Sequence, residues 1–109
     1  MQIASFPFSI VDWNDIEKMQ FSGITGQSSW KTVEMNDIRI RLVEYSKNYL
    51  ADHWCMKGHV IFCVEGAMTM ELKSGKEYRL EKGMTYITGD NGIPHKSSSE
   101  QGCKLFIVD

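Results

Sequence analysis

The residue pattern predicts an all-β fold: a small antiparallel β-barrel or jelly roll with an irregular N-terminal arm. Three observations carry the prediction. Ile38, Ile40 and Leu42 alternate with Arg39 and Arg41, and Met68, Met70 and Leu72 alternate with Thr69, Glu71 and Lys73. That is the period of two of half-buried antiparallel strands, and helical spacing fits neither stretch. Gly58, Gly66, Gly75 and Gly83 punctuate the chain as turn residues, eight or nine positions apart, which leaves no room for crossover helices. Finally, Val60 to Val64 and Leu105 to Val108 are continuous apolar runs, as expected of strands covered on both faces.

In chain order, residues 1–29 form the arm. They show no sustained period, and Phe6, Phe8, Ile10 and Trp13 read as isolated apolar plugs. Asn14 followed by Glu17 has the spacing of a capping box and predicts a helix of one or two turns through Met19. Ser22-Gly23 stops it, and Gly23, Gly26, Ser28 and Ser29 follow as a loop. Such an arm is expected to lie across the barrel or across a partner. Strand texture begins at Trp30, so residues 30–109 are expected to form the barrel domain.

Composition narrows the functional classes. A chain of 109 residues with 42% hydrophobic residues has the material for a single core, with no need of disulfide staples. The formal net charge of −2 lacks the basic footprint of a nucleic-acid binder. The longest apolar run, Val60 to Val64, has five residues against the ~20 a membrane-spanning helix needs. The first thirteen residues carry no Lys or Arg, so no export signal is read there. Cys55, Cys63 and Cys103 are an odd set without a C-x-x-C pair, which points to a reducing, cytoplasmic setting. The seven methionines read as core filler. Partners are then expected to be small molecules and further copies of the chain, with no nucleic acid and no membrane.

The chemistry-bearing residues cluster. The histidines are His53, His59 and His95, and the first two flank Cys55 in Asp52-His53-Trp54-Cys55-Met56-Lys57-Gly58-His59. On a strand His53 and Cys55 would share a face, and a turn at Gly58 would bring His59 back opposite them. His95, after the turn Asp90 to Pro94, can reach the same point from a neighbouring strand. Imidazole and thiolate donors suit a divalent transition metal such as Zn, Fe or Ni far better than Ca or Mg.

Here the chain resembles the cupins, small β-barrels with a metal at the barrel mouth. His53 fits the first His of the first cupin motif, Cys55 stands in place of the second His, His59 in place of the Glu, and Gly66 fits the closing Gly. Gly83, Gly92 and His95 match the second motif, with Asp90 in the position of its Pro. Asp-His-Trp-Cys is similar to the Asp-His-Cys-Trp signature of a small cupin subfamily. The resemblance implies one metal on His53, Cys55, His59 and His95, a homodimer, and oxygenase, isomerase or lyase chemistry on a small organic acid or sugar. A non-enzymatic sensor or binding module, with or without metal, is the alternative.

Around this site, Asp52 is a candidate to accept a hydrogen bond from a ligand imidazole. Arg41, Glu44, Tyr45, Tyr49 and Tyr86 are candidate pocket residues, whereas Trp54, Cys63 and Cys103 are expected in the core. Serine-triad, phosphate-loop and dinucleotide motifs are missing from the sequence. A Cys55/His nucleophile pair is the remaining catalytic option.

Overall fold

The computed structural model describes residue 3 and residues 5–109; Met1, Gln2 and Ala4 of the expected arm lie outside the described residues. Nine antiparallel strands are found among the described residues: β1 Met19–Ser22, β2 Gln27–Met35, β3 Ile38–Tyr45, β4 Tyr49–Leu50, β5 His59–Leu72, β6 Glu77–Glu81, β7 Thr85–Thr88, β8 His95–Ser99 and β9 Cys103–Val108. No described helix is long and apolar enough to cross a membrane.

The strands run β1-β2-β3-β9-β5-β8-β4, with β6 and β7 also pairing with β5. The long strand β5 joins two sheets and curls them into a half-barrel. Its first half pairs with β9 and β7, its second half with β6 and β8. The register shifts between Cys63 and Glu65, a bulge that bends the strand. Gly66 completes the bend at φ +75°, where a Cβ would strike the Gly102 carbonyl oxygen and the Cys103 backbone. Only glycine fits there, which gives the closing Gly of the first motif its physical reason.

The core lies between the two sheets and is built from Val43, Ile61, Met68, Met70, Leu80 and Leu105, together with Cys63 and Cys103. Both core cysteines are where the sequence places them. Burial pushes the Cys103 thiol up to about 11 and raises the Cys63 thiol as well.

Three expectations are corrected. The capping-box helix does not form: Trp13–Asp15 is a single 3-10 turn whose cap is Asp12, with the Asn14 amide donating to Asp12 Oδ1 at 3.0 Å. Met19 instead pairs with Trp30 in the β1-β2 hairpin, and Ser28 and Ser29 belong to β2. So short a helix is marginal in water, and edge pairing offers its backbone a cooperative ladder instead. Nor is the run Val60 to Val64 covered on both faces: Phe62 and Val64 are 40% and 39% exposed. Trp54 is half-buried outside the core, with the Lys73 and Lys96 ammonium groups 4.5 and 4.7 Å from its ring.

In β5 the buried members of the alternation, Met68 and Met70, are the apolar ones. Strand β3 runs the other way. Arg41 and Val43 are buried inside, whereas Ile40 and Leu42 are only half-buried on the outer face. Leu42, Phe106 and Phe62 stand in register across three strands, so the outer face of this sheet is apolar and its inner face carries arginines.

Candidate functional site

The candidate residues sit where the inner faces of the two sheets meet. His59 opens β5 and His95 opens β8. Cys55 lies in an otherwise irregular segment, but its amide and carbonyl pair with those of His95 at 2.8 and 2.9 Å. This isolated antiparallel bridge puts the two side chains on one side. The turn between Cys55 and His59 is pinned to the loop after β7. The Gly58 amide donates to Asp90 Oδ1 at 2.7 Å, and the Asn91 amide donates to the Met56 carbonyl at 3.0 Å. Asp90, in the position of the motif proline, therefore ties the loop carrying Cys55 to the loop carrying His95.

Cys55, His59 and His95 converge: one donor atom from each lies within 4.8 Å of the others. Cys55 Sγ is 3.3 Å from His59 Nε2, and the His59 and His95 rings meet edge to face with centroids 5.1 Å apart. His53 is not in this group. Residues 52 and 53 form a bend and residue 54 belongs to no strand, so the period of two that would align His53 with Cys55 does not operate. The His53 side chain is 69% exposed and pairs with Asp52 through Nδ1 at 2.7 Å.

The inner ends of β3, β9 and β5 carry a charged row. Asp109, continuing the inward face of β9, exchanges backbone hydrogen bonds with Arg39. Arg39 donates to it through Nε and Nη2 at 2.9 and 3.0 Å, Arg41 through Nη2 at 2.8 Å, and His59 Nδ1 approaches its Oδ2 at 2.9 Å. Burial by itself would raise the Asp109 carboxyl, but hydrogen bonds from His59 and Arg39 and the charges of both arginines hold it well below the usual carboxylate range. An ionised carboxylate only accepts, so His59 Nδ1 carries a proton, and in the neutral imidazole Nε2 presents its lone pair to Cys55. Asp109 escaped the sequence analysis, because nothing local marks a carboxylate whose partners lie 50 to 70 residues away.

His95 shows the same polarity. Its Nδ1 faces the Ile93 carbonyl at 3.4 Å, and its buried Nε2 has no hydrogen-bond partner among the described residues. Burial lowers the His95 pKa, the nearby His59 lowers it further, and the neutral imidazole is favoured.

These residues open onto a cavity of about 110 Å³, lined also by Trp30, Arg41, Tyr45 and Tyr49. Of the other candidate pocket residues, Tyr86 stacks edge-on against His95 with centroids 5.8 Å apart, while Glu44 is exposed and lines larger, more open hollows elsewhere. The donor set suits a transition metal. Bonds of about 2.0–2.3 Å to N and S ligands put neighbouring donor atoms roughly 3–3.6 Å apart. The Cys55–His59 spacing already lies in that range. An imidazole whose other nitrogen donates to a carboxylate is the usual form of a metal-binding histidine.

No family model and no curated protein matches the chain. Solved structures do match in fold. A cupin-2 domain protein from Shewanella frigidimarina is 23% identical, with a TM-score of 0.59 over 73% of this chain and 78% of that one. A cupin-superfamily sugar phosphate isomerase from Silicibacter pomeroyi is 14% identical, with a TM-score of 0.72 over 92% of this chain and 74% of that one. The iron(II) form of HppE is 15% identical, with a TM-score of 0.76 over 93% of this chain and 59% of that one. With its bent central strand, its two curled antiparallel sheets and its inward-facing histidines, the chain has the cupin fold.

Proposed function

We propose that the chain binds one divalent transition metal through Cys55, His59 and His95 and acts on a small organic molecule in the adjoining cavity. The observation that carries this reading is the polarity of the trio. Asp109 accepts a hydrogen bond from His59 Nδ1–H, and the buried Nε2 of His95 is unpartnered among the described residues, so each imidazole, when neutral, keeps Nε2 free for a metal beside the Cys55 thiol. His53, bonded to Asp52 outside the group, is left out of the set. The iron(II) form of HppE supports the reading by analogy of fold alone.

Three protein donors leave coordination positions open, and a metal held there supplies Lewis-acid or redox chemistry. The chain's own residues do the rest. Asp109 orients His59, the two arginines orient Asp109, and the cavity walls limit the size of what enters. Zn, Fe and Ni all suit two imidazoles and a thiolate.

Metal determination on protein purified without nickel resin tests the proposal, with a near-stoichiometric transition metal as the expected result. Cys55→Ser is expected to lower retention at least tenfold, whereas Cys63→Ser and Cys103→Ser, both in the core, leave it unchanged. Equal losses in all three would remove Cys55 from the ligand set, and metal-free wild-type protein would end the proposal.

We also propose that two copies pair through the outer face of the β3-β9-β5-β7 sheet. Phe62, Val64 and the 73% exposed Ile87 stand there beside half-buried Leu42 and Phe106, and contiguous apolar patches mark association surfaces. Light scattering at micromolar concentration is expected to give the mass of a dimer, and Phe62→Lys that of a monomer. A monomeric wild-type chain would refute the pairing.

A further inference from the structure

A site for metal alone leaves the second guanidinium unexplained. Arg39 already forms a two-bond pair with Asp109. Arg41 is 4% exposed and shares the same carboxylate through Nη2 only, while its buried Nε has no hydrogen-bond partner among the described residues. Asp109 does not serve it: Oδ2 faces Arg39, Arg41 Nη2 and His59 at 2.8–3.0 Å, and Oδ1 accepts from Arg39 Nε at 2.9 Å. Burying an unpaired charged donor is unfavourable, and here it is built in. Trp30, whose indole N–H donates to Ser28 Oγ at 2.6 Å, lies 4.3 Å beneath the Arg41 guanidinium and holds it in place.

The charges around the cavity do not balance either. Its lining includes Arg39, Arg41 and Lys96 but no carboxylate, and Asp109 offsets only one of the two guanidinium charges. The Lys96 ammonium is held 4.7 Å from the ring of Trp54, which does not line the cavity, so one guanidinium charge is left facing the cavity. A planar guanidinium with a free N–H is a carboxylate receptor. The cavity's 110 Å³ is smaller than the ~150 Å³ that holds benzene.

We propose that the barrel interior binds a small monocarboxylic acid of about four to six non-hydrogen atoms, its carboxylate accepting from Arg41 Nε–H and its remaining polar group directed toward Cys55, His59 and His95. The single excess charge favours a monoanion over an inorganic phosphate dianion. The orientation of the acid's second group rests on the metal reading above; the carboxylate contact does not.

The test is an NMR titration of the Arg41 Nε–H resonance, assigned by its loss in Arg41→Lys, on the purified chain before and after chelation. Glycolate and pyruvate are expected to shift the resonance saturably and to raise the thermal midpoint. Glycolamide, of the same size without the charge, is expected to do neither. Arg41→Lys is expected to weaken glycolate binding at least tenfold with unchanged metal content, and His95→Ala to lose the metal yet keep glycolate binding by the chelated chain. If Arg41→Lys fails to fold, the acid and amide titrations of the wild-type chain decide. No saturable shift with either acid, an equal response to glycolamide, or preferential binding of phosphate would overturn the proposal. A chain that takes up metal but ignores the acids sinks this inference alone, and one that binds the acids but no metal sinks only the metal reading.

Discussion

Asp109→Ala is expected to lower the stability of the metal-free chain by about 3–5 kcal/mol, the usual cost of removing one partner from a buried ion pair and stranding the others. Both oxygens of the Asp109 side chain are fully buried and face Arg39, Arg41 and His59, so truncation leaves Arg41 uncompensated inside the barrel. Metal affinity is expected to drop about 10–100-fold as well, because the residue that fixes the His59 tautomer is gone.

The sign of the pH dependence follows from the same contacts. The Asp109 carboxyl titrates lower in the folded chain than in the unfolded one. Its stabilising contribution is therefore complete above the ordinary carboxylate value of about 4 and is lost as pH falls below it. Urea unfolding of the two proteins is expected to show their largest gap at neutral pH and a smaller gap near pH 3. A gap that stayed constant would mean that Asp109 acts by packing and not by charge.

The second large effect concerns the histidines. His59→Ala and His95→Ala are each expected to lower metal affinity at least ~100-fold, since losing a supporting carboxylate already costs up to that much. His53→Ala is expected to leave metal content within about twofold, the ring being mostly exposed and bonded to Asp52. In metal-free protein, His95→Ala removes a buried nitrogen with no partner among the described residues, so its stability is expected to change far less than its metal binding. Competition with a chromophoric chelator gives the affinities. A metal lost on His53→Ala and retained on His95→Ala would reverse the ligand assignment.

The particular residues show why part of this was legible in the sequence. Met68, Met70 and Leu72 alternate on β5 as their polarity requires, because a strand with one buried face writes its period into local sequence. Gly66 marks the bend of β5 because no other residue fits its positive φ beside Gly102. The cysteines Cys63 and Cys103 stand where apolar neighbours imply. The candidate site was legible as donor types and motif positions, with His59 and His95 among them.

The alignment of His53 with Cys55 assumed a strand that does not form. Cys55 takes its direction from a bridge to His95, 40 positions along the chain by their residue numbers. The capping box from Asn14 to Glu17 failed for a similar reason: Met19 found a partner in Trp30, and local helix signals of so few residues do not outweigh a paired strand.

What the sequence by itself determined is the class of backbone, the positions of its tight turns and the chemical types available for a site, because those depend on each residue and its near neighbours. Which face of β3 points inward was decided only when the sheets closed. Hydrophobicity would bury Ile40 and Leu42, yet Arg41 is the residue inside, because β9 delivers Asp109 and β2 delivers Trp30 to that point. A charge can be buried once opposite charge and a flat aromatic face await it. Those partners come from strands far apart in the chain, and only their register places them together.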